Sequence, residues 1–427
     1  MNSLRQHLIV ATTLVTAFAN SLVAQEATQP KPIPTSRPAM KQALDDLKHR
    51  EPRLPLPAPS EEDKASGDQR RLVNNGRMRQ HYLGNLYPRS SGTREKDPNM
   101  SLDNAFTVEF FWIASRVNNC HYCLGHQENK LLAAGRSEDR IAALDCDWSQ
   151  FNDAERAAFA FARKLTYEPH LVTVADLKKL EEHYKPLQIL EICFLVAGYN
   201  STNRWTDGMG IPQEDHRTFV TETSEKYLKL PSVVAPSGPL DRGPLESRSE
   251  VEAKLAACKT RQSALPLVSE AEARKLLDLT SDAPVPAWIC LLANFPISGK
   301  SRIEGLLAAR SQGNLSPLLK AQMDWVAARQ DRAWYALSDA QNRLRKLGQS
   351  DDQIFSLDGD RKQFDASTQA ALHVADKLTA SPQVITDSDI APLRKHFTDP
   401  QVAEVVYYTT QAAFFNRVTE AAQLPSE

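Results

Sequence analysis

Asn118-Asn119-Cys120-His121-Tyr122-Cys123-Leu124-Gly125-His126 puts two thiols and two imidazoles into seven residues at the start of a helical run. Cysteines three apart on a helix share one face about a turn apart, close enough to form a disulfide or to grip one metal. Asn119 reads as the N-cap, which sets Cys120 in the first turn. There the unpaired N–H groups and the helix dipole favour a thiolate and lower its pKa. His121 and His126 add a positive charge or a proton acceptor, with His121 read as a local modulator of the thiol pKa. Three uses compete: a redox thiol pair, half of a structural zinc site, and an inert disulfide. Zinc needs four ligands, and no second C-x-x-C or H-x-x-x-H occurs. Thiol chemistry without a metal is therefore the leading reading.

Working outward, Phe106, Phe110, Ile113 and Val117 fall on one side of a helix that starts near Ser101 and ends at Asn118-Asn119. The motif helix runs from Cys120 to about Ala134 and stops at Gly135, a C-cap glycine. Ser137-Glu138-Asp139 opens the next helix. Phe151-Asn152-Asp153-Ala154-Glu155 opens another that reaches Leu165, and a further one spans Thr173 to His183. Leu187 to Val196 is strongly apolar and encloses Cys193, a buried core thiol. No strand-like alternation competes, so the expected class is all-α.

A chain of 427 residues exceeds one ordinary core, so two domains are expected. A net charge of −2 with 24% charged residues gives no electrostatic case for nucleic acid. Residues 1–24 read as a secretory signal: Arg5, an apolar run from Leu8 to Ala19, then Ser21-Leu22-Val23-Ala24. The expected location is periplasmic or extracellular, with no membrane span once the signal is cleaved. Six cysteines are few for a disulfide-stapled scaffold, and export predicts that Cys120 and Cys123 rest oxidised. Residues 25–62, rich in Pro and polar groups, read as a disordered linker. The first domain spans 63–230, and Pro, Ser and Gly return over 231–248 as a second linker before a domain over 249–427.

That last domain repeats the first. A shift of 213 positions aligns Trp112 with Trp325, Arg116 with Arg329, Tyr122 with Tyr335 and Gly135 with Gly348. It also aligns Lys164-Leu165-Thr166 with Lys377-Leu378-Thr379, and Asn203-Arg204 with Asn416-Arg417. A constant offset without gaps from Glu109 to Asp207 is the mark of a tandem duplication. At the same offset Cys120 becomes Ala333, Cys123 becomes Ala336, His121 becomes Trp334, His126 becomes Asp339 and Glu109 becomes Gln322. Scaffold persists while every candidate reactive group is replaced, so the second copy is expected to keep the fold without the thiol activity. Trp112, Tyr122, Asn203 and Arg204 read as structural by this comparison. Asn200, replaced by Ala413, is a candidate to line the site. Cys146, between Asp145 and Asp147, sits in a helix-starting turn rather than a metal site.

The first copy resembles the carboxymuconolactone decarboxylase and alkylhydroperoxidase D-like family. The residues that carry the resemblance are Ser115-Arg116-Val117-Asn118-Asn119-Cys120-His121-Tyr122-Cys123, then Gly135, and Asn200-Ser201-Thr202-Asn203-Arg204-Trp205-Thr206-Asp207-Gly208. It covers roughly residues 66 to 228 and, in degenerate form, the second copy. The resemblance implies two helical bundles and an oxidoreductase of the peroxidase or disulfide-reductase kind, with a peroxide or disulfide as substrate. It implies no bound cofactor, only an external thiol or disulfide reductant that resets the pair. In the family's redox branch a Glu, the C-x-x-C and a downstream His form the site. Here Glu109 and His126 each stand one position nearer the thiols than usual, where the family places its groups at Val108 and Gln127. The implied relay runs from Glu109 to His126, which takes a proton from Cys123. That thiolate attacks the peroxide, and Cys120 resolves the sulfenic acid. The reverse order, with Cys120 attacking first, is also open. Two readings of other classes stand beside it: the family's lyase branch, which needs no thiol pair, and a non-catalytic helical protein with a static disulfide or metal clip. A duplicated chain is expected to act as an internal pseudo-dimer or to build a homo-oligomer.

Overall fold

The computed structural model describes residues 29–67, 69–87, 95–219 and 222–426, and every regular element among them is helical. The signal-like segment 1–24 lies outside the described residues. The longer helices are α1 (Arg37–Asp46), α2 (Asn74–Leu83), α3 (Asn104–Val117), α4 (His121–Ala133), α5 (Glu138–Cys146), α6 (Asp153–Tyr167), α7 (Val174–Glu181) and α8 (Pro186–Gly208). After an extended stretch come α9 (Arg248–Lys259), α10 (Ser298–Ser311), α11 (Pro317–Asp331), α12 (Trp334–Lys346), α13 (Ala366–Ala380) and α14 (Asp399–Ala421). No described helix is long and apolar enough to cross a membrane.

Local chemistry sets these bounds. The Asp103 carboxylate accepts from the Phe106 N–H and starts α3. Asn152 and Glu155 form a capping box at the start of α6. Gly135, at φ +79°, closes α4, and the Arg136 N–H reaches back to the Leu131 carbonyl at 2.9 Å. Bounds recur at the 213-residue shift: α4 maps onto α12, α6 onto α13 and α8 onto α14, residue for residue.

The two halves meet along α8 and α14. Phe194 and Phe414 make an edge contact with centroids 5.5 Å apart, and Trp205 meets Tyr407 at 6.2 Å. A Cβ on Gly208 would sit 2.6 Å from Val406 Cγ1, so only glycine permits the approach at that point. Near the centre, Arg204 Nη2 donates to the Thr379 carbonyl at 3.0 Å and Arg417 Nη2 donates to the Thr166 carbonyl at 3.3 Å. Positions 204 and 417, and 166 and 379, each differ by 213. The contact is therefore reciprocal, as in a two-fold dimer interface.

Two expectations are corrected. Asn119 is not the N-cap of the motif helix: it takes the left-handed conformation (φ +51°), which asparagine tolerates, and Cys120 itself caps the helix. Nor is the described part of 25–62 disordered. Its prolines keep it extended around α1, but Arg37 and Lys41 are buried against Glu128 and Glu138 of the first half. Arg53 donates to the Gly208 carbonyl at 3.0 Å. Low hydrophobicity signals disorder only when no buried carboxylates or carbonyls wait for the segment's cations. The stretch 231–248 is likewise packed, with Arg163 and Tyr167 donating to the Val234 and Gly238 carbonyls.

Replacing helical Gly by Ala usually stabilises an exposed helix by about 0.5–1 kcal/mol. Gly305→Ala, with open space around its Cβ position, is expected to follow that rule. Gly208→Ala is expected to reverse the sign and lose about 1–3 kcal/mol through overpacking, read by urea unfolding of both variants.

Candidate functional site

The first turn of α4 is anchored before it begins: the Cys120 N–H donates to the Ser115 carbonyl and its own carbonyl accepts from Leu124, both at 2.9 Å. This turns both thiols toward the C-terminal part of α8. Cys120 Sγ lies 3.1 Å and Cys123 Sγ 3.2 Å from Thr206 Oγ1. The sulfurs also hydrogen-bond one another, and both are free thiols. Thr206 is held by the Thr202 and Asn203 carbonyls of its own helix. Its counterpart in the second half, Thr419, keeps the same kind of bonds to Phe415 and Asn416, but faces a half with Ala333 and Ala336 in place of the cysteines.

Both cysteines are sealed, at 0% and 2% exposure. Burial, the hydrogen bond with Cys123 and the nearby Asp207 charge push the Cys120 thiol well above its ordinary pKa. The expected activation by the helix N-terminus is therefore overturned for Cys120: desolvation of a thiolate with no solvent contact outweighs the dipole. The pair expected to rest oxidised is described in its reduced form.

The other expected site residues are not gathered around the sulfurs. Glu109 is fully buried and forked onto Arg140 at 2.8 and 3.2 Å, with Arg136 Nε at 3.1 Å. His126 instead meets Glu214, Nε2 to Oε2 at 2.9 Å, while Arg217 Nη2 donates to its Nδ1 at 3.1 Å. That network makes His126 a neutral ring with its proton on Nε2, in line with the burial that lowers its pKa. Glu214 also accepts from the Tyr122 hydroxyl at 2.7 Å and the Asn74 N–H at 2.9 Å. Burial works against its charge, but His126 and these donors hold it well below the carboxylate range. The relay from Glu109 through His126 to Cys123 is not assembled. His121 is buried, contacts Asn119 Oδ1 at 2.9 Å, and is kept neutral by burial and by Lys31. Asn200 joins Asn118 to Thr166 and so braces the turn rather than lining an opening.

Sequence reasoning missed Thr206, Glu214, Glu128 and Lys31. Thr206 had a signal, since its hydroxyl recurs at Thr419; the others meet Asp207, Lys41 and His126, which are 87 or more residues away. Glu128 takes Arg37 on both oxygens at 2.7 Å, Lys41 at 2.6 Å and Trp112 Nε1 at 2.7 Å. Among the described residues no group of three or more His, Cys, Asp or Glu side chains is arranged to hold a metal ion.

Fold and site define an all-helical protein with a buried dithiol in its first half. No family model matches the chain, and no curated protein matches it. Among solved structures, it is similar to a crystal structure of the debrominase Bmp8, a cysteine-to-alanine variant in complex with 2,3,4-tribromopyrrole. The identity is 13%, over 44% of this chain and 94% of that chain, with a TM-score of 0.30. A likeness of that size assigns neither a fold family nor an activity.

Burial pushes the Glu128 carboxyl up, but Arg37 and Lys41 outweigh it and hold the pKa at about 2. A depressed folded-state value gives stability that is present above the unfolded carboxylate range, about pH 4.3, and is lost as pH falls through the folded value. Glu128→Gln is expected to cost about 1–3 kcal/mol at pH 7, because it leaves the buried Arg37 and Lys41 with Glu138 as their one remaining carboxylate. It should also flatten the loss of stability between about pH 4.5 and 2, measured by urea unfolding across that range.

Proposed function

We propose that Cys120 and Cys123 form a reversible dithiol–disulfide couple, carried by a tandemly duplicated helical chain whose second half serves as scaffold and internal partner for the first. The observation that supports this reading is the convergence of both sulfurs on the single Thr206 hydroxyl, in the one half that has cysteines at these positions. The family resemblance of the first half and its export belong to the same proposal.

The exchange proposed is thiol–disulfide exchange with an external disulfide. One cysteine, as thiolate, attacks a sulfur of that disulfide and releases one thiol. The other cysteine then attacks the mixed disulfide and releases the second. The protein loses two electrons and two protons, and the external disulfide becomes two thiols; an external reductant runs the steps in reverse. Glu109 has no part in this, since its charge is committed to Arg136 and Arg140. A peroxide as oxidant has weaker support, because no imidazole is within hydrogen-bond distance of either sulfur among the described residues.

A second reading is favoured by the sealing of both sulfurs. On that reading the chain is a helical binding or structural protein, or a lyase of the decarboxylase branch, and the sulfurs are packing. Redox titration of the full chain against dithiol buffers separates the two. A couple at about −180 to −270 mV, lost in Cys120→Ser, is the expected result. A potential below about −300 mV, or thiols that never pair, supports the second reading.

A further inference from the structure

The thiols are sealed, yet the residues beside them are held by an arm from far away in the chain. Lys31 Nζ donates to the Asn119 carbonyl at 3.1 Å and pairs with Asp207 Oδ1 at 2.6 Å. Asn119 immediately precedes Cys120, and Asp207 immediately follows Thr206. One ammonium thus ties together the two segments that carry the sulfurs and the hydroxyl between them. Asn119 Nδ2 returns a bond to the Pro32 carbonyl at 3.1 Å, and Arg116 Nη2 donates to the Pro34 carbonyl at 2.6 Å. Beyond this point the arm is held by Arg37 and Lys41 on Glu128 and Glu138 and by the buried side chains of Met40, Leu44, Leu47 and Leu54, until Arg53 reaches the end of α8.

The second half shows which part of this arm is general and which is particular. A strap also crosses it: Arg329 Nη2 donates to the Glu246 carbonyl at 2.7 Å and Arg332 Nη2 donates to the Arg242 and Pro244 carbonyls. Arg329 and Arg332 stand where Arg116 and Asn119 stand in the first half, so covering this corner belongs to the repeat. The lysine does not. The residue 213 places after Lys31 is Pro244, and that half has Ala333 and Ala336 at the positions of Cys120 and Cys123. Asp207 Oδ2 is buried without a hydrogen-bond partner among the described residues, which leaves the Lys31 ammonium as the partner this carboxylate depends on.

We propose that Lys31 is the latch of an arm, residues 30–59, that controls access to the Cys120/Cys123 pair, so that the thiols react after local release of the arm rather than after unfolding of the chain. The inference rests on the dithiol being used, but its test reads access alone and so stands apart from the reduction potential.

The experiment uses the full chain, a maleimide as the probe, and mass spectrometry to resolve labelling at Cys120 and Cys123. Lys31→Met is compared with wild type and with Lys64→Met, whose lysine is a half-exposed helix-surface partner of Glu61. Labelling is followed in urea below the unfolding transition, and unfolding is followed by circular dichroism on the same samples. Local release predicts a labelling rate nearly flat in urea below the transition. It also predicts a rate about tenfold higher in Lys31→Met, from loss of charge-assisted bonds, with Lys64→Met unchanged. Lys31→Arg should restore most of the protection. The proposal is overturned if labelling in wild type and Lys31→Met follows the full urea dependence of unfolding, or if Lys31→Met labels at the wild-type rate.

Discussion

Helix α8 is buried along two faces at once, and the rest of the molecule depends on that constraint. One face packs on α14 through Phe194, Trp205 and the bare backbone at Gly208. Another receives the Cys120 turn through Asn203 and Thr206. A polar group so placed must find its partner inside the protein. Asn118 gives its side-chain N–H groups to Asn200 and Asn203, Asn200 donates to Thr166, and Arg204 crosses to the other half. The thiols are the last members of this network, which fixes where they point.

The same burial decides what the thiols can do. A thiolate with no water and no adjacent imidazole is costly, so the Cys120 proton stays on at neutral pH. Chemistry at sulfur then needs an opening, and the energetics of that opening lie in the contacts over the site rather than in the site itself. Those contacts are ionic next to the thiols, with Lys31 on Asp207, and combine ion pairs with apolar burial further along, where Arg37 and Lys41 meet Glu128 and Met40, Leu44, Leu47 and Leu54 join the core. Buried ion pairs add little net stability compared with apolar packing but are costly to break singly. In the second half Asp331, at the position of Asn118, faces Arg417 and Arg242, so fixed charge organises the corresponding corner where Ala333 and Ala336 stand in place of the cysteines.

Much of the fold was legible because its signals are local. Capping residues, Gly135 and the apolar spacing of α3 each act within one or two turns, and the 213-residue comparison carried those signals into the second half. Residues 118–126 announced the thiols for the same reason. What surrounds the thiols was not legible. Glu109 was expected to serve His126, but Arg136 and Arg140 project onto it from beyond the motif helix, and a salt bridge of that kind leaves no mark in spacing. Asn119 looked like a cap because asparagine serves both as N-cap and in left-handed turns, and only the chain path chooses between them. The arm was read as disorder from composition, since a Pro-rich polar segment shows its order only once its buried acceptors are known.

The central claim is that the arm and the thiol turn open together while the α8–α14 contact stays closed. Hydrogen exchange resolved by peptide on the native full chain measures this directly. One shared opening free energy is predicted for residues 30–45 and 118–124, well below that of residues 195–208 and 405–421. Exchange of 118–124 only with global unfolding, at the same free energy as the α8 and α14 peptides, would contradict it.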